Sequence, residues 1–223
     1  EFARGVAVAY CDAPGPLETA SVPTFYCISP TPSGWSPERV ESFYREYNNH
    51  MVRNLTVHEA MPGHYLQLAL ARRNSSRVRA VALSESFVEG WAVYTEEVMT
   101  QHGYGGLPLR MQQLKMQLRA TINAILDQQV HCDGLTEGEA MALMTQRGFQ
   151  EEGEAAGKWR RALLTSAQLS TYFVGYTEMA DIATARPADV SLRAWHDAML
   201  GQGSPSPRNL RRLLLAPGTP AMA

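Results

Sequence analysis

Cysteine is scarce in this 223-residue sequence, and the placement of the three cysteines excludes a class of small proteins. Cys11, Cys27 and Cys132 are too few and too widely spaced for a disulfide framework or for a cysteine-rich zinc site. A disulfide between Cys11 and Cys27 remains an alternative if the protein is exported, so the cysteines do not determine the compartment.

Long apolar runs and an excess of basic residues are missing as well. No stretch approaches about 18 consecutive apolar residues, which predicts that the chain has no membrane-spanning helix. The net charge is −2 and both signs are mixed along the chain, so there is no basic stripe for a phosphate backbone and nucleic acid is not an expected partner. The N-terminus lacks the order of a secretion signal. We expect a soluble protein, either cytoplasmic or exported after removal of a signal.

Turn-forming residues are concentrated in segment 1–36, and helical periodicity fills the rest of the chain. Segment 1–36 is predicted to be irregular and proline-rich, with one or two short strands. Ser36-Pro37-Glu38 combines an N-cap with a first-turn proline and starts the helical domain, 37–223. The expected fold class is therefore mainly α. The predicted helices span residues 37–59, 63–73, 77–101, 108–132, 136–147, 150–165, 168–184, 190–200 and 207–215.

The segment from His58 to His64 resembles the zincin pattern, in which two histidines bind a metal and a glutamate stands beside it. The usual histidines are four residues apart on one helical face, whereas here they are six apart. Six residues of a regular helix turn the second side chain roughly 120° away from the first. Pro62 and Gly63 can break the helix between them, so the sequence predicts that a bulge or break restores the convergence of both imidazoles.

A second segment, residues 87–96, lies one helix downstream, and together with the first it resembles the bacterial DUF885 family. The hallmarks of that family are His-Glu-x-x-Pro-Gly-His, present at 58–64, and Glu-Gly-Trp-Ala-x-Tyr-x-Glu, present at 89–96. Weaker similarity extends the resemblance over roughly residues 50–215. It includes Asp127, His131, Arg161, Gln168, Tyr172, Gly175, His196, Asp197 and Gly203, and it departs from the family at Tyr65, Ser166 and Ala167.

The resemblance implies a zincin-like, multi-helix domain of the gluzincin type that hydrolyses peptide bonds with zinc. His58, His64 and Glu89 would bind the ion and leave a fourth position for water, as catalytic zinc sites do. Glu85, one helical turn before Glu89, is the competitor for the carboxylate ligand. Glu59 would take the proton of the activated water as general base. Sites of two histidines and one carboxylate also accept other divalent metals.

The oxyanion of a tetrahedral intermediate needs a hydrogen-bond donor besides the metal. Tyr172 is the first candidate, His131 the second and His196 the third. Each has a plainer alternative: Tyr172 would belong to the core, and each histidine would satisfy one polar neighbour.

Three further side chains are candidates for binding substrate. Gln168 is expected to bind the substrate backbone, and His196 also belongs to this group. Arg161 and Arg119 are candidates for receiving a substrate carboxylate, although arginines on helices are mostly surface residues.

The leading hypothesis is a zinc-dependent hydrolase, foremost a peptidase, acting on a peptide or on a small amide or ester. DUF885 proteins are more than twice as long, so this chain looks like the metal-carrying C-terminal part of such a protein, whose missing N-terminal region would be a partner. The alternative is therefore a noncatalytic helical binding module that keeps a structural or relic metal site. A thiol hydrolase using Cys132 and His131 has no supporting pattern.

Overall fold

A short hairpin precedes the helices in the computed structural model, which describes residues 8–215. Strand β1 (Ala9–Asp12) pairs antiparallel with β2 (Phe25–Ile28), with Ala9 opposite Ile28 and Asp12 opposite Phe25. Cys11 and Cys27 are both free. Cys27 lies opposite Tyr10, one residue before Cys11, and successive side chains of a strand point to opposite faces, so the register keeps the two thiols on different faces.

Helices account for most of the described chain after residue 36, which confirms the mainly α fold class. The longest of them, α6, and the short α7 each continue into a π-helical segment, at Gln129–Asp133 and Leu143–Arg147. The α-helices are α1 (Pro37–Glu46), α2 (Asn49–Glu59), α3 (His64–Ala71), α4 (Arg77–Val81), α5 (Glu85–Gln101), α6 (Gly106–Gln128), α7 (Glu137–Ala142), α8 (Glu152–Leu164), α9 (Ser170–Thr184), α10 (Leu192–Gly201) and α11 (Pro207–Leu215).

Two helices that the sequence predicts as continuous are each divided, so the predictions for 37–59 and 77–101 were wrong in that respect. Asn48 divides the first because its side chain accepts hydrogen bonds from the backbone of His50 and Met51, as an N-cap does. Ser84 stands before α5 with an extended backbone, and its N–H donates to the carbonyl oxygen of Ser204 at 2.9 Å. That long-range bond replaces a bond within the helix.

Helices α5 and α9 pack closely enough that their contact requires glycine on both sides. A Cβ on Gly90 would lie 2.3 Å from the backbone of Gly175, and a Cβ on Gly175 would lie 2.2 Å from the carbonyl oxygen of Ser86. The apolar core around this contact includes Trp91 from α5 and Trp195 from α10. The crossing therefore fixes α9 against the part of α5 that carries Glu89.

None of the helices within residues 8–215 combines the length and apolar character needed to cross a membrane.

Candidate metal centre

The chain changes direction between α2 and α3, and this change brings His58 and His64 together. Helix α2 ends at Glu59 and α3 begins at His64, as expected from a break at Pro62-Gly63. The Gly63 N–H donates to the carbonyl oxygen of Val57 at 3.0 Å, and a Cβ on Gly63 would lie 1.9 Å from the carbonyl oxygen of His58. A glycine is required at this close approach.

The two imidazole rings contact each other edge to face across the break, with centroids 4.7 Å apart and planes at 88°. Trp91 of α5 holds the break in place, because its indole N–H donates to the carbonyl oxygen of Pro62 at 2.9 Å. The motif at 58–64 and the motif at 89–96 are therefore joined by a direct hydrogen bond as well as by the site itself.

Glu89 of α5 supplies the third donor atom. Its Oε2 lies 3.4 Å from Nε2 of His58 and 3.5 Å from Nε2 of His64, and ligand atoms of all three residues lie within 4.8 Å of one another. A tetrahedral ion with bonds of about 2.0 to 2.1 Å separates its ligand atoms by about 3.3 to 3.4 Å. The spacing of these donors fits an ion between them.

The hydrogen bonding around the three donors also fits a cation. Oε2 of Glu89 and Nδ1 of His64 are buried and have no hydrogen-bond partner. Nδ1 of His58 is 2.7 Å from Glu96, so Nε2 is the nitrogen that faces Oε2 of Glu89, and either a proton or a metal ion between these two atoms would make their approach favourable. Oε2 of Glu89 is the unsatisfied atom that faces both imidazole nitrogens, so a cation bound there would satisfy it.

Glu96 is a candidate functional residue that the sequence reasoning missed. Its Oε1 accepts a hydrogen bond from Nδ1 of His58 at 2.7 Å, and its Oε2 accepts one from Nδ2 of Asn54 at 2.7 Å. Because Nδ1 of His58 donates to this carboxylate, the lone pair of Nε2 is directed to the metal position, as in carboxylate–histidine–zinc triads. The spacing from Glu89 to Glu96, two helical turns on one face, is the signal that could have identified it.

Charge and burial act in opposite directions at the two acidic residues of the site. Burial raises the pKa of Glu89, but the imidazoles of His58 and His64 beside it outweigh burial and hold that pKa well below its usual range. The pKa of Glu59 is raised, first by burial and then by the charge of Glu89, against the opposing effect of the histidines. The backbone of Cys11 also hydrogen-bonds to Glu59, so the hairpin contributes to the site.

Glu85, the competing carboxylate, lies exposed at the first position of α5. It is not part of the group of donor atoms that His58, His64 and Glu89 form.

Arg161, Gln168 and Tyr172 are brought together into one cluster beside the site. Nη2 of Arg161 donates to Oε1 of Gln168 at 2.7 Å and to the hydroxyl oxygen of Tyr172 at 3.1 Å. The pKa of Tyr172 is raised by burial and then by the charge of Glu89, so the hydroxyl stays protonated. Three separately predicted residues therefore form a single hydrogen-bonded unit.

His131 lies at the π-helical end of α6 and contacts the carboxyl end of α8. Its Nε2 is 2.7 Å from the carbonyl oxygen of Thr165 and 3.1 Å from that of Ala162. Asp127, one turn earlier, accepts hydrogen bonds from the backbone of Ala167 and Ser170. These contacts position the loop before α9, and a catalytic role for His131 stays a prediction.

His196 of α10 lies against the indole of Trp91 and the ring of Tyr94. Its Nε2 is 2.9 Å from the Tyr94 hydroxyl, and burial lowers the pKa of His196 to about 4, which keeps the imidazole neutral. Contact between His196 and a substrate stays a prediction.

The prediction that Arg119 receives a substrate carboxylate was wrong. Arg119 is buried and bonded to Glu46 and Glu154, so it is not available to a substrate.

A family model described as "Bacterial protein of unknown function (DUF885)" matches residues 1–214. The chain belongs to the DUF885 family. The match extends beyond the expected span of 50–215 to the first residue, which agrees with the contact between the hairpin and Glu59. No curated protein matches this DUF885 chain significantly.

Two solved structures share the fold of this DUF885 protein. A candidate lipoprotein of unknown function from Shewanella oneidensis is 40% identical, with a TM-score of 0.81 over 95% of this chain. A candidate lipoprotein from Colwellia psychrerythraea is 24% identical, with a TM-score of 0.80 over 93% of this chain. The present chain spans 40% of the first protein and 35% of the second.

Proposed function

We propose that this protein is a zinc-dependent hydrolase of the gluzincin type, acting foremost on peptide bonds. The observation that carries the proposal is the group of three facing donor atoms, in which Oε2 of Glu89 lies 3.4 Å and 3.5 Å from the two imidazole nitrogens without a hydrogen-bond partner. Three protein ligands leave one position for water, which is typical of catalytic and not of structural zinc.

The residues of the site would divide the reaction as follows. Zinc held by His58, His64 and Glu89 would supply a Lewis acid and lower the pKa of water. Glu59 follows His58 directly at the end of α2 and would accept the proton of the attacking water and return it to the leaving amine. The net reaction adds water across the C–N bond and gives a carboxylate and an amine.

Tyr172 would donate a hydrogen bond to the oxygen of the scissile carbonyl as that oxygen becomes negative. Its hydroxyl oxygen already accepts from Arg161 at 3.1 Å, which leaves the hydroxyl proton for another acceptor. The hydrogen bond from Arg161 supports this orientation of the Tyr172 side chain.

The proposal is tested by Glu59→Gln, which keeps the size of the side chain and removes the base. We expect the zinc content to stay at one equivalent and kcat/KM on a peptide panel to fall by about 10²- to 10⁴-fold. Glu85→Gln is the matched control, because Glu85 is exposed and lies outside the donor group. Undiminished turnover by Glu59→Gln would contradict the mechanism. One equivalent of zinc with no hydrolysis in the unsubstituted protein would favour the alternative, a noncatalytic module with a structural metal.

We also propose that the protein acts outside the cytoplasm. The support is the S. oneidensis protein, described as a candidate lipoprotein, which is 40% identical over 95% of this chain. Fractionation of cells that carry the native gene checks this, and recovery of the protein only in the cytoplasm would contradict it.

A further inference from the structure

Arg161 is a half-buried cation whose hydrogen-bond partners are all uncharged. Both of its hydrogen bonds come from Nη2, to Oε1 of Gln168 and to the hydroxyl oxygen of Tyr172. Within residues 8–215 no carboxylate forms an ion pair with Arg161, so Nε and Nη1 are left for an acceptor from outside this part of the chain. A guanidinium presents its donors in a planar fork that matches the two oxygens of a carboxylate.

Buried charges of both signs lie near Arg161, and the acids of the neighbouring ion-pair network are bonded to other groups. Lys158 lies one turn earlier on α8 with a side chain that is only 9% exposed, and Arg119 is buried nearby. Glu154 is the acid that these cations share, and it is already bonded to Arg119 at 2.6 Å and to the Tyr47 hydroxyl at 2.7 Å. None of these acids pairs with Arg161, so its Nε and Nη1 can pair with an anionic group of a ligand.

The α5–α9 crossing places this cation next to the metal centre. Tyr172, the hydrogen-bond partner of Arg161, lies one turn before Gly175, and Gly175 contacts Gly90, the neighbour of Glu89 in the chain. The charge of Glu89 also acts on the Tyr172 hydroxyl. Arg161, through Tyr172, therefore belongs to the same region of the α5–α9 crossing as the donor group.

We propose that Arg161 binds the free α-carboxylate of the substrate, so that the substrates are peptides or N-acyl amino acids cleaved at the bond before their C-terminal residue. This rests on the proposed function and narrows it to an exopeptidase type of reaction. Gln168 orients the guanidinium, and Tyr172 connects it to the reacting carbonyl.

The test uses N-acetyl-alanyl-phenylalanine and its C-terminal amide as a pair of probes. The unsubstituted protein should cleave the free acid with a kcat/KM at least about 10-fold above that for the amide, because a hydrogen-bonded ion pair is lost with the amide. Arg161→Gln should remove the preference, because kcat/KM for the acid falls by at least about 10-fold more than kcat/KM for the amide. Arg160→Gln removes the same charge from an exposed neighbour and should keep the preference.

Binding separates this inference from the proposed function. Calorimetry on zinc-loaded Glu59→Gln should show tighter binding of the acid than of the amide, and the difference should disappear in the Glu59→Gln, Arg161→Gln double variant. A binding preference without turnover by the unsubstituted protein would retain the carboxylate site and contradict only the hydrolase. Equal losses of kcat on both probes in Arg161→Gln would overturn the inference, because they would make Arg161 a positioning residue for Tyr172. Equal binding of acid and amide would also overturn it.

Discussion

The protein buries two clusters of charged side chains, and the two differ in how far each satisfies its own groups. The ion-pair network joins α1, α6 and α8, and all four of its carboxylate oxygens are bonded. Glu46 accepts from Lys115 at 3.0 Å and from Arg119 at 3.1 Å. Glu154 accepts from Arg119 at 2.6 Å and from the Tyr47 hydroxyl at 2.7 Å. Opposite charges and hydrogen bonds thus compensate the burial of both acids.

The histidine–glutamate cluster, consisting of His58, His64, Glu89 and Glu96, lacks this completeness. Glu96 is bonded on both oxygens, but Oε2 of Glu89 and Nδ1 of His64 have no partner. Two imidazoles face a carboxylate without a fixed positive charge between them.

This difference in hydrogen bonding indicates that the two clusters have different roles. A network that satisfies its own groups is expected to contribute to structure, whereas a buried cluster with an unsatisfied carboxylate oxygen between two imidazoles is expected to bind a ligand. Loss of a network member should therefore reduce stability, and loss of a cluster member should reduce metal binding.

Arg119→Met is expected to have the largest effect on stability. It leaves Glu46 and Glu154 buried with reduced compensation, so the free energy of unfolding should fall by about 3 to 5 kcal/mol in urea denaturation. Arg45→Met is the matched control, because Arg45 forms an exposed ion pair with Glu151 and such pairs contribute little to stability. Equal losses in the two variants would remove the distinction between the clusters.

Glu89→Gln should reduce metal binding more than it reduces the stability of the metal-free protein. In the presence of a chelator, the free energy of unfolding should fall by less than in Arg119→Met, because glutamine keeps the size of the side chain and leaves no acid buried without its cation. Zinc at about 100 times its Kd should stabilise the unsubstituted protein by about 2.7 kcal/mol and the variant far less. Denaturation with and without zinc measures both, with Glu85→Gln as control. A large loss in the chelated protein would show that Glu89 is structural.

Glu96→Gln tests the residue that orients His58. We expect zinc affinity to fall by about 10- to 100-fold, which is about 1.4 to 2.7 kcal/mol, in a competition titration with a chromogenic chelator. Glu97→Gln is the control, since Glu97 accepts from the Tyr176 hydroxyl and not from His58. Unchanged affinity in Glu96→Gln would exclude the triad arrangement.

The sequence predicted the local parts of the histidine–glutamate cluster because short-range signals determine them. Pro62 and Gly63 indicated the break that turns His58 toward His64, and the structure has α2 end and α3 begin on either side of it. The role of Glu96 was not predicted, although its spacing from Glu89 was visible.

The ion-pair network could not be predicted in the same way, because its partners are far apart in the chain. Glu46 lies 73 residues from Arg119, and nothing in either segment indicates the contact. For the same reason the sequence left Arg119 as a candidate for substrate binding, whereas in the structure Arg119 is bonded to Glu46 and Glu154. The contacts of His131 with the end of α8 also depend on tertiary packing.

The smallest expected effect on stability concerns Lys158. It tests whether the charge of every cation in the ion-pair network is compensated by an acid. Burial lowers the pKa of Lys158 to about 8, and the charge of Arg119 acts in the same direction against the attraction of Glu154. The unfolded chain has a lysine pKa of about 10.4, so between these values it binds more protons than the folded protein and stability rises with pH. From about pH 8 to about pH 9 the free energy of unfolding should increase by about 1 kcal/mol through this residue. Lys158→Met should lose that increase in urea denaturation at the two pH values, while Lys115→Met, which removes another cation of the network and keeps Lys158, should retain it. If Lys158→Met shows the same increase as the unsubstituted protein, the lysine is fully compensated by Glu154, and the network is as complete in its cations as it is in its carboxylates.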